Sequence, residues 1–144
     1  MLKVVAYLAP IVTLAAIGTL AVLGSFFTAS PWLLALYLLA VALAVWARTT
    51  FPAGAFRGGP PPGGAVLIRR GPYRFVRHPM YSAALLLVWS GVVARLTWGT
   101  AALGVLVTAV AVARVVYEER LLRAAFSDYG DYAHSTRALV PFIA

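Results

Sequence analysis

The chain has 144 residues, of which 62% are hydrophobic, and a mean hydropathy of +0.89. So apolar a composition excludes an ordinary soluble domain and points to an integral membrane protein. The complete lack of cysteine excludes disulfides, thiol chemistry and cysteine-ligated metals, and no other metal site is expected. The net charge of +8 does not call for nucleic acid, because no basic helix of soluble character accompanies it; anionic lipid headgroups are the expected partners.

From Val4 to Ala47 there is no Asp, Glu, Lys or Arg. That run is twice what one helix needs to cross a roughly 30 Å hydrocarbon core, for which ~20 residues suffice. Two spans are therefore expected, near residues 4–24 and 32–48, with a turn over Gly24–Pro31 in which Ser30 is placed to cap a helix begun by Pro31. A signal peptide is the rival reading of the first span, but the apolar stretch is too long and the residues after it, Phe26 and Phe27, are bulky where a cleavage site needs small ones. Pro10 falls inside the span and is tolerated there, as a kink.

Residues 49–79 form a Gly/Pro/Arg-rich aqueous loop that includes Pro60, Pro61 and Pro62. A second charge-poor run reaches Ala113, broken only by Arg95, and gives a second hairpin with spans near 80–95 and 97–117. The chain turns polar at Glu118, with a short helix to about Ser127 and a tail. The expected architecture is all-α, a bundle of about four transmembrane helices. It is organised as an N-terminal hairpin (1–48), a loop carrying the motif (49–79), and a C-terminal hairpin with its tail (80–144). With both termini cytoplasmic, eleven of the twelve basic residues fall inside and only Arg95 outside, which sets the orientation in a cell membrane.

Two polar clusters then share the cytoplasmic side. One is the stretch from Arg70 to Tyr81, where Arg74, Arg77, His78 and Tyr81 surround Pro79, a residue suited to begin a helix. The other is Glu118 and Glu119 at the exit of the fourth span, and antiparallel packing of spans three and four brings both to the same depth. Cationic and anionic groups at one end of a hairpin suit a ligand that bears both signs. The blander reading makes Arg48, Arg57, Arg69 and Arg70 headgroup anchors. It also makes Glu119 with Arg123, and Arg114 with Glu118, exposed pairs one helical turn apart. Trp32, Trp46, Trp89 and Trp98 are expected in the interfacial belt, where Tyr73, Tyr129 and Tyr132 also fit, and His134 is expected to be solvated.

The pattern Gly-Pro-Tyr-Arg-Phe-Val-Arg-His-Pro-Met-Tyr at 71–81, followed by a hydrophobic hairpin, Glu118-Glu119-x-Leu121-Leu122, Phe126, the tyrosines 129 and 132 and a terminal Pro141-Phe142-Ile143, resembles the isoprenylcysteine carboxyl methyltransferase and phospholipid methyltransferase superfamily. The resemblance covers residues 66–143. It implies S-adenosylmethionine as cofactor and a lipophilic or prenylated acceptor that enters from the bilayer. It makes Arg77, His78, Pro79, Tyr81, Glu118 and Glu119 cofactor-binding positions, with the carboxylates for the α-ammonium and Arg77, His78 and the free amides opening helix three for the α-carboxylate. Glu119 and Arg123 are the implied acceptor-site groups. The chain departs from the pattern at Ala83, where relatives commonly have glycine, in an interval before the tyrosine pair that is one residue short, and at Ser135, where an arginine is usual. The competing functions are a sterol-reductase-like enzyme using NAD(P)H and a non-catalytic membrane partner. An oligomer is compatible with so small a bundle.

Overall fold

The computed structural model describes residues 2–27, 29–51 and 67–139. Within them the chain is all-helical: α1 (Leu2–Val22), α2 (Pro31–Thr50), a single 3-10 turn at Gly71–Arg74, α3 (Pro79–Ala94), α4 (Trp98–Ala125) and α5 (Tyr129–Ser135). The Gly/Pro-rich part of the expected loop, 52–66, lies outside the described residues, as does the terminal Pro-Phe-Ile.

Local chemistry sets the helix ends. α1 closes in a Schellman motif: Gly24 takes the left-handed conformation at φ 73°, its N–H bonds Ala21 O, and the Ser25 N–H reaches back to Leu20 O. Ser30 and Pro31 take the N-cap and first-turn positions of α2 as expected, although the Ser30 side chain makes no capping bond to the helix. Pro79 begins α3. At the start of α4, Thr97 and Thr100 form a reciprocal capping box, with Thr100 N–H to Thr97 Oγ1 at 3.1 Å and Thr97 N–H to Thr100 Oγ1 at 3.0 Å.

α2 and α4 are long and apolar enough to cross a membrane; α3, and α1 over Leu8–Val22, are shorter apolar helices. α4 does not stop where the chain becomes polar. Its 28 residues run through Glu118 and Glu119 without a glycine or proline to break them. At 1.5 Å per residue Glu118 lies about 30 Å along the helix from Trp98, the thickness of a hydrocarbon core.

The first of the two sequential hairpins does not pack on itself. α2 lies along α3 and α1 along α4, α3 touches both α1 and α4, and α1 has little contact with α2. The core is Ala16, Leu20, Val88, Val92 and Val107, with Phe26, Leu85 and Leu103 against it. Gly104 lets α4 approach α3: a Cβ there would stand 3.2 Å from Val92 Cγ2. Ala83, the departure from the family's glycine, is buried in α3. Much of the outer surface is large and apolar, as a bilayer-facing surface is, and Trp32, Trp46 and Trp98 lie on it. Trp89 also reaches this surface, at 37% exposed, and its Nε1–H donates to Thr108 Oγ1 at 3.0 Å, which ties α3 to the middle of α4.

Candidate functional site

The stretch from Gly71 to Tyr81 is held in place from two sides. Gly71 has φ 60° and sits so close to the end of α2 that a Cβ would fall 2.5 Å from Thr50 Oγ1, so only glycine lets the 3-10 turn dock there. On the other side the segment after α5 pairs with the motif through one parallel bridge between Val76 and Arg137. Arg137 N–H bonds Phe75 O at 3.1 Å, Arg77 N–H bonds Arg137 O at 2.7 Å, and His78 N–H bonds Ala138 O at 3.1 Å. The amides of Arg77 and His78 are therefore spent on the tail, and Pro79 has none, so these three positions offer no free amide to an anion.

Two ion-paired groups stand side by side between α3 and α4. In the first, Arg77 Nε donates to Glu119 Oε1 at 2.8 Å, while its Nη1 donates to the carbonyls of Ala133 at 2.8 Å and Thr136 at 2.5 Å. In the second, Glu118 Oε1 accepts from the Tyr81 hydroxyl and from Arg114 Nε, each at 2.8 Å, and Arg114 Nε also reaches Tyr81 Oη at 2.8 Å. His78 joins the two groups: its Nδ1 is 3.7 Å from Glu118 Oε2 and its Nε2 is 3.6 Å from Glu119 Oε1. Both histidine separations exceed hydrogen-bond length. With side-chain exposure of 11% for Arg77 and 17% for Glu119, this pair is largely withdrawn from water. Charges so placed persist only because they are matched and hydrogen-bonded.

Buried tyrosines support the arrangement from the α5 side. The Tyr132 hydroxyl donates to Tyr73 O at 2.6 Å, and the ring of Tyr129 meets that of Tyr132 edge to face. Tyr73, Tyr129 and Tyr132 are all buried, which corrects the belt role their residue type allowed. Burial pushes the hydroxyls of Tyr129 and Tyr132 up to about 12, so both stay neutral.

The structure thus brings Arg77, His78, Tyr81, Glu118 and Glu119 together. Pro79 is buried and starts the helix, with its ring on the neighbouring face. Arg123 lies at the rim, its Nη2 3.6 Å from Glu119 Oε2 and its guanidinium over the Tyr129 ring. Arg114 is the addition. It looked like half of an exposed pair in the sequence, yet it is only 8% exposed and bonds both Tyr81 and Glu118. Its position among apolar residues, Val112 and Ala113 before it and Val115 and Val116 after it, was the available signal. Arg69, expected to be a headgroup anchor, pairs with Asp128.

Among the described residues, three buried side-chain atoms lack a hydrogen-bond partner: Ser25 Oγ, His78 Nε2 and Tyr129 Oη. The last two belong to this region. A buried imidazole nitrogen without a partner, next to two carboxylates, has the polar character a small zwitterion requires.

Residues 60–129 match the family model described as phospholipid methyltransferase. This segment, just under half of the chain, is similar to the phospholipid methyltransferase family. It contains Arg77, His78, Tyr81, Arg114, Glu118 and Glu119, and leaves α1 and α2 outside. No curated protein and no solved structure matches the chain. Methyltransferase activity on lipids and association with a membrane are what the family and the apolar helices support.

Proposed function

We propose that the chain is an S-adenosylmethionine-dependent methyltransferase for a lipophilic acceptor. In this reading it crosses the membrane four times, keeps both termini in the cytoplasm, and works at the cytoplasmic face. The observation that carries the reading is the charge-matched, largely buried cluster of Arg77, His78, Tyr81, Arg114, Glu118 and Glu119, formed within the segment that matches the family. Lys3, the arginines around the motif and those after Arg114 fall on this side, and positive-inside placement gives the orientation.

The cofactor supplies a sulfonium-bound methyl that is already activated, so the protein's work is to bind, orient and exclude water. Glu118 and Glu119 are the groups for an α-ammonium. His78, with its unpartnered Nε2, is the group for the cofactor's polar end, and Tyr81 lines the site. Arg77 and Pro79 take supporting parts: Arg77 is committed to Glu119 and to two carbonyls, so it fixes the carboxylate, and Pro79 fixes the start of α3. On the acceptor side, Glu119 and the rim residue Arg123 are the candidates. A carboxylate acceptor needs only an orienting cation there; an amine or phenol also needs a base, for which His78 and Glu119 are at hand. Residues 80–144 with the motif loop form the cofactor region in this scheme, and residues 1–48 a supporting pair of helices.

Titration calorimetry of the purified chain in detergent, with S-adenosylhomocysteine and NADPH as separate ligands, tests the proposal. Binding of S-adenosylhomocysteine alone is expected. NADPH binding alone makes the chain a reductase, and binding of neither removes both enzyme readings. His78→Ala and Glu118→Gln are expected to abolish binding while the helical circular dichroism is kept. If both bind like wild type, the site is elsewhere. Incorporation of labelled methyl groups into lipid extracts identifies the acceptor.

A further inference from the structure

α3 presents two different faces in its first turn. His78 and Tyr81, three residues apart, face Glu118 and Glu119, while Pro79 and Ser82, one residue further on, share the adjacent face. On that second face is an open groove of about 300 Å³ between α2, the motif loop and α3, lined by Leu43, Trp46, Phe75, Val76, Pro79 and Ser82. Its surface is wholly apolar, since the Ser82 hydroxyl turns away to the carbonyls of His78 and Leu139. The volume is at the lower end of the roughly 300–1,000 Å³ typical of small-molecule sites.

Three observations say what fills it. The groove lies at the C-terminal end of α2, a helix of 20 residues and so about 30 Å long, which puts Trp46 and Phe75 at the boundary between acyl chains and headgroups. The exposed Arg74 guanidinium sits 4.8 Å from the centroid of the Phe75 ring that lines the groove, so a cation marks its rim. No acidic side chain opposes it from the lining, because the chain's four acidic residues, Glu118, Glu119, Asp128 and Asp131, all lie in α4 and α5 or at the start of α5.

We propose that this groove binds one acyl chain of an anionic membrane phospholipid, with the headgroup phosphate on Arg74. The site is separate from the charged cluster and does not depend on the lipid being a methyl acceptor. A neutral lipid gains the groove but leaves Arg74 with no net anion. An anionic lipid satisfies both, so headgroup charge and chain burial act together.

Trp46 is a built-in reporter. In a chain with Trp32, Trp89 and Trp98 replaced by Phe, held in maltoside micelles, phosphatidylglycerol with brominated chains is expected to quench Trp46 saturably. The half-point should fall at a mole fraction about fivefold lower than for brominated phosphatidylcholine. Arg74→Gln should erase that difference, and Leu43→Phe, which fills the groove, should abolish saturation. Native mass spectrometry of the unaltered chain, which needs no tryptophan replacement, should show one phosphatidylglycerol retained and its loss in Arg74→Gln. Linear quenching that depends only on bulk lipid overturns the proposal, as it means that no lipid occupies a saturable site in the groove. Saturation indifferent to headgroup, or retention unchanged in Arg74→Gln, overturns it as well. None of these readouts involves methyl transfer or its cofactor.

Discussion

The two ends of the bundle solve the problem of polar groups beside a membrane in opposite ways. At the end holding the turns between α1 and α2 and between α3 and α4, polar side chains close onto backbone carbonyls. The Tyr37 hydroxyl donates to Ser25 O at 2.8 Å, Arg95 donates to Leu23 O, and the Thr100 hydroxyl donates to Arg95 O at 2.7 Å. At the other end, where α3 begins and α4 emerges, side chains of opposite charge face one another, and a buried imidazole nitrogen is left without a partner. The first arrangement satisfies the backbone of tight turns, and the side-chain atom it leaves without a partner, Ser25 Oγ, is an uncharged hydroxyl. The second concentrates charge beyond what the local backbone needs, and such concentration in a membrane protein marks a site of function.

Disrupting each end separates these roles, and the largest effect is expected at the charged end. Arg77→Ala strips a largely buried carboxylate of its nearer cation and leaves the carbonyls of Ala133 and Thr136 without their donor, which should cost up to about 3–5 kcal/mol in thermal unfolding in detergent. Arg77→Lys should recover only part of this, since an ammonium cannot reproduce a planar fork spread over three acceptors. A loss no larger than that of an exposed arginine would mean that water already reaches the pair.

At the turn end the expected losses are smaller and leave ligand binding alone. A Cβ at Gly91 would stand 3.1 Å from Phe26 Cε1 and 3.2 Å from the fully buried Leu20, so Gly91→Ala should cost about 1–3 kcal/mol through overpacking. Thr97→Ala removes the capping box of α4 and should cost about 1 kcal/mol. Both variants should keep wild-type affinity for S-adenosylhomocysteine. A matching loss of affinity in either would show that the two ends are coupled through α3 and α4 and that the contrast between them is false.

Much of this contrast was legible in the sequence, because it depends on helix ends. Proline at 31 and 79, glycine at 24 and the charge-free runs place the four long helices to within a few residues of where they lie, except at the end of α4, which continues to Ala125 past the expected 117. The juxtaposition of the motif with Glu118 and Glu119 followed from antiparallel spans alone. What the sequence hid depends on contacts between distant segments. Arg114 one turn before Glu118 has the spacing of a surface pair, and only the packing of α1 and α3 against α4 buries it. The tail's pairing with Val76, Arg77 and His78 leaves no local pattern, so nothing in the sequence shows that the amides of Arg77 and His78, just before α3, are committed. Trp89 has the composition of a belt residue, and its bond to Thr108 comes from the register of α3 against α4.

The smallest expected effect on stability is also the one that most sharpens the picture of the charged end. Arg123 is 55% exposed, and its closest approach to Glu119 Oε2 is 3.6 Å, so the pair should contribute no more than about 0.5 kcal/mol, and Arg123→Ala should unfold like wild type. Glu119 keeps its stronger partner, Arg77, in that variant. A role for Arg123 at the acceptor therefore predicts a raised KM for the lipid with unchanged affinity for S-adenosylhomocysteine. If cofactor affinity falls instead, Arg123 acts by holding the outer oxygen of Glu119 and belongs with the cofactor side. If neither changes, the contact is a surface pair, and the functional end of the bundle stops at Glu119.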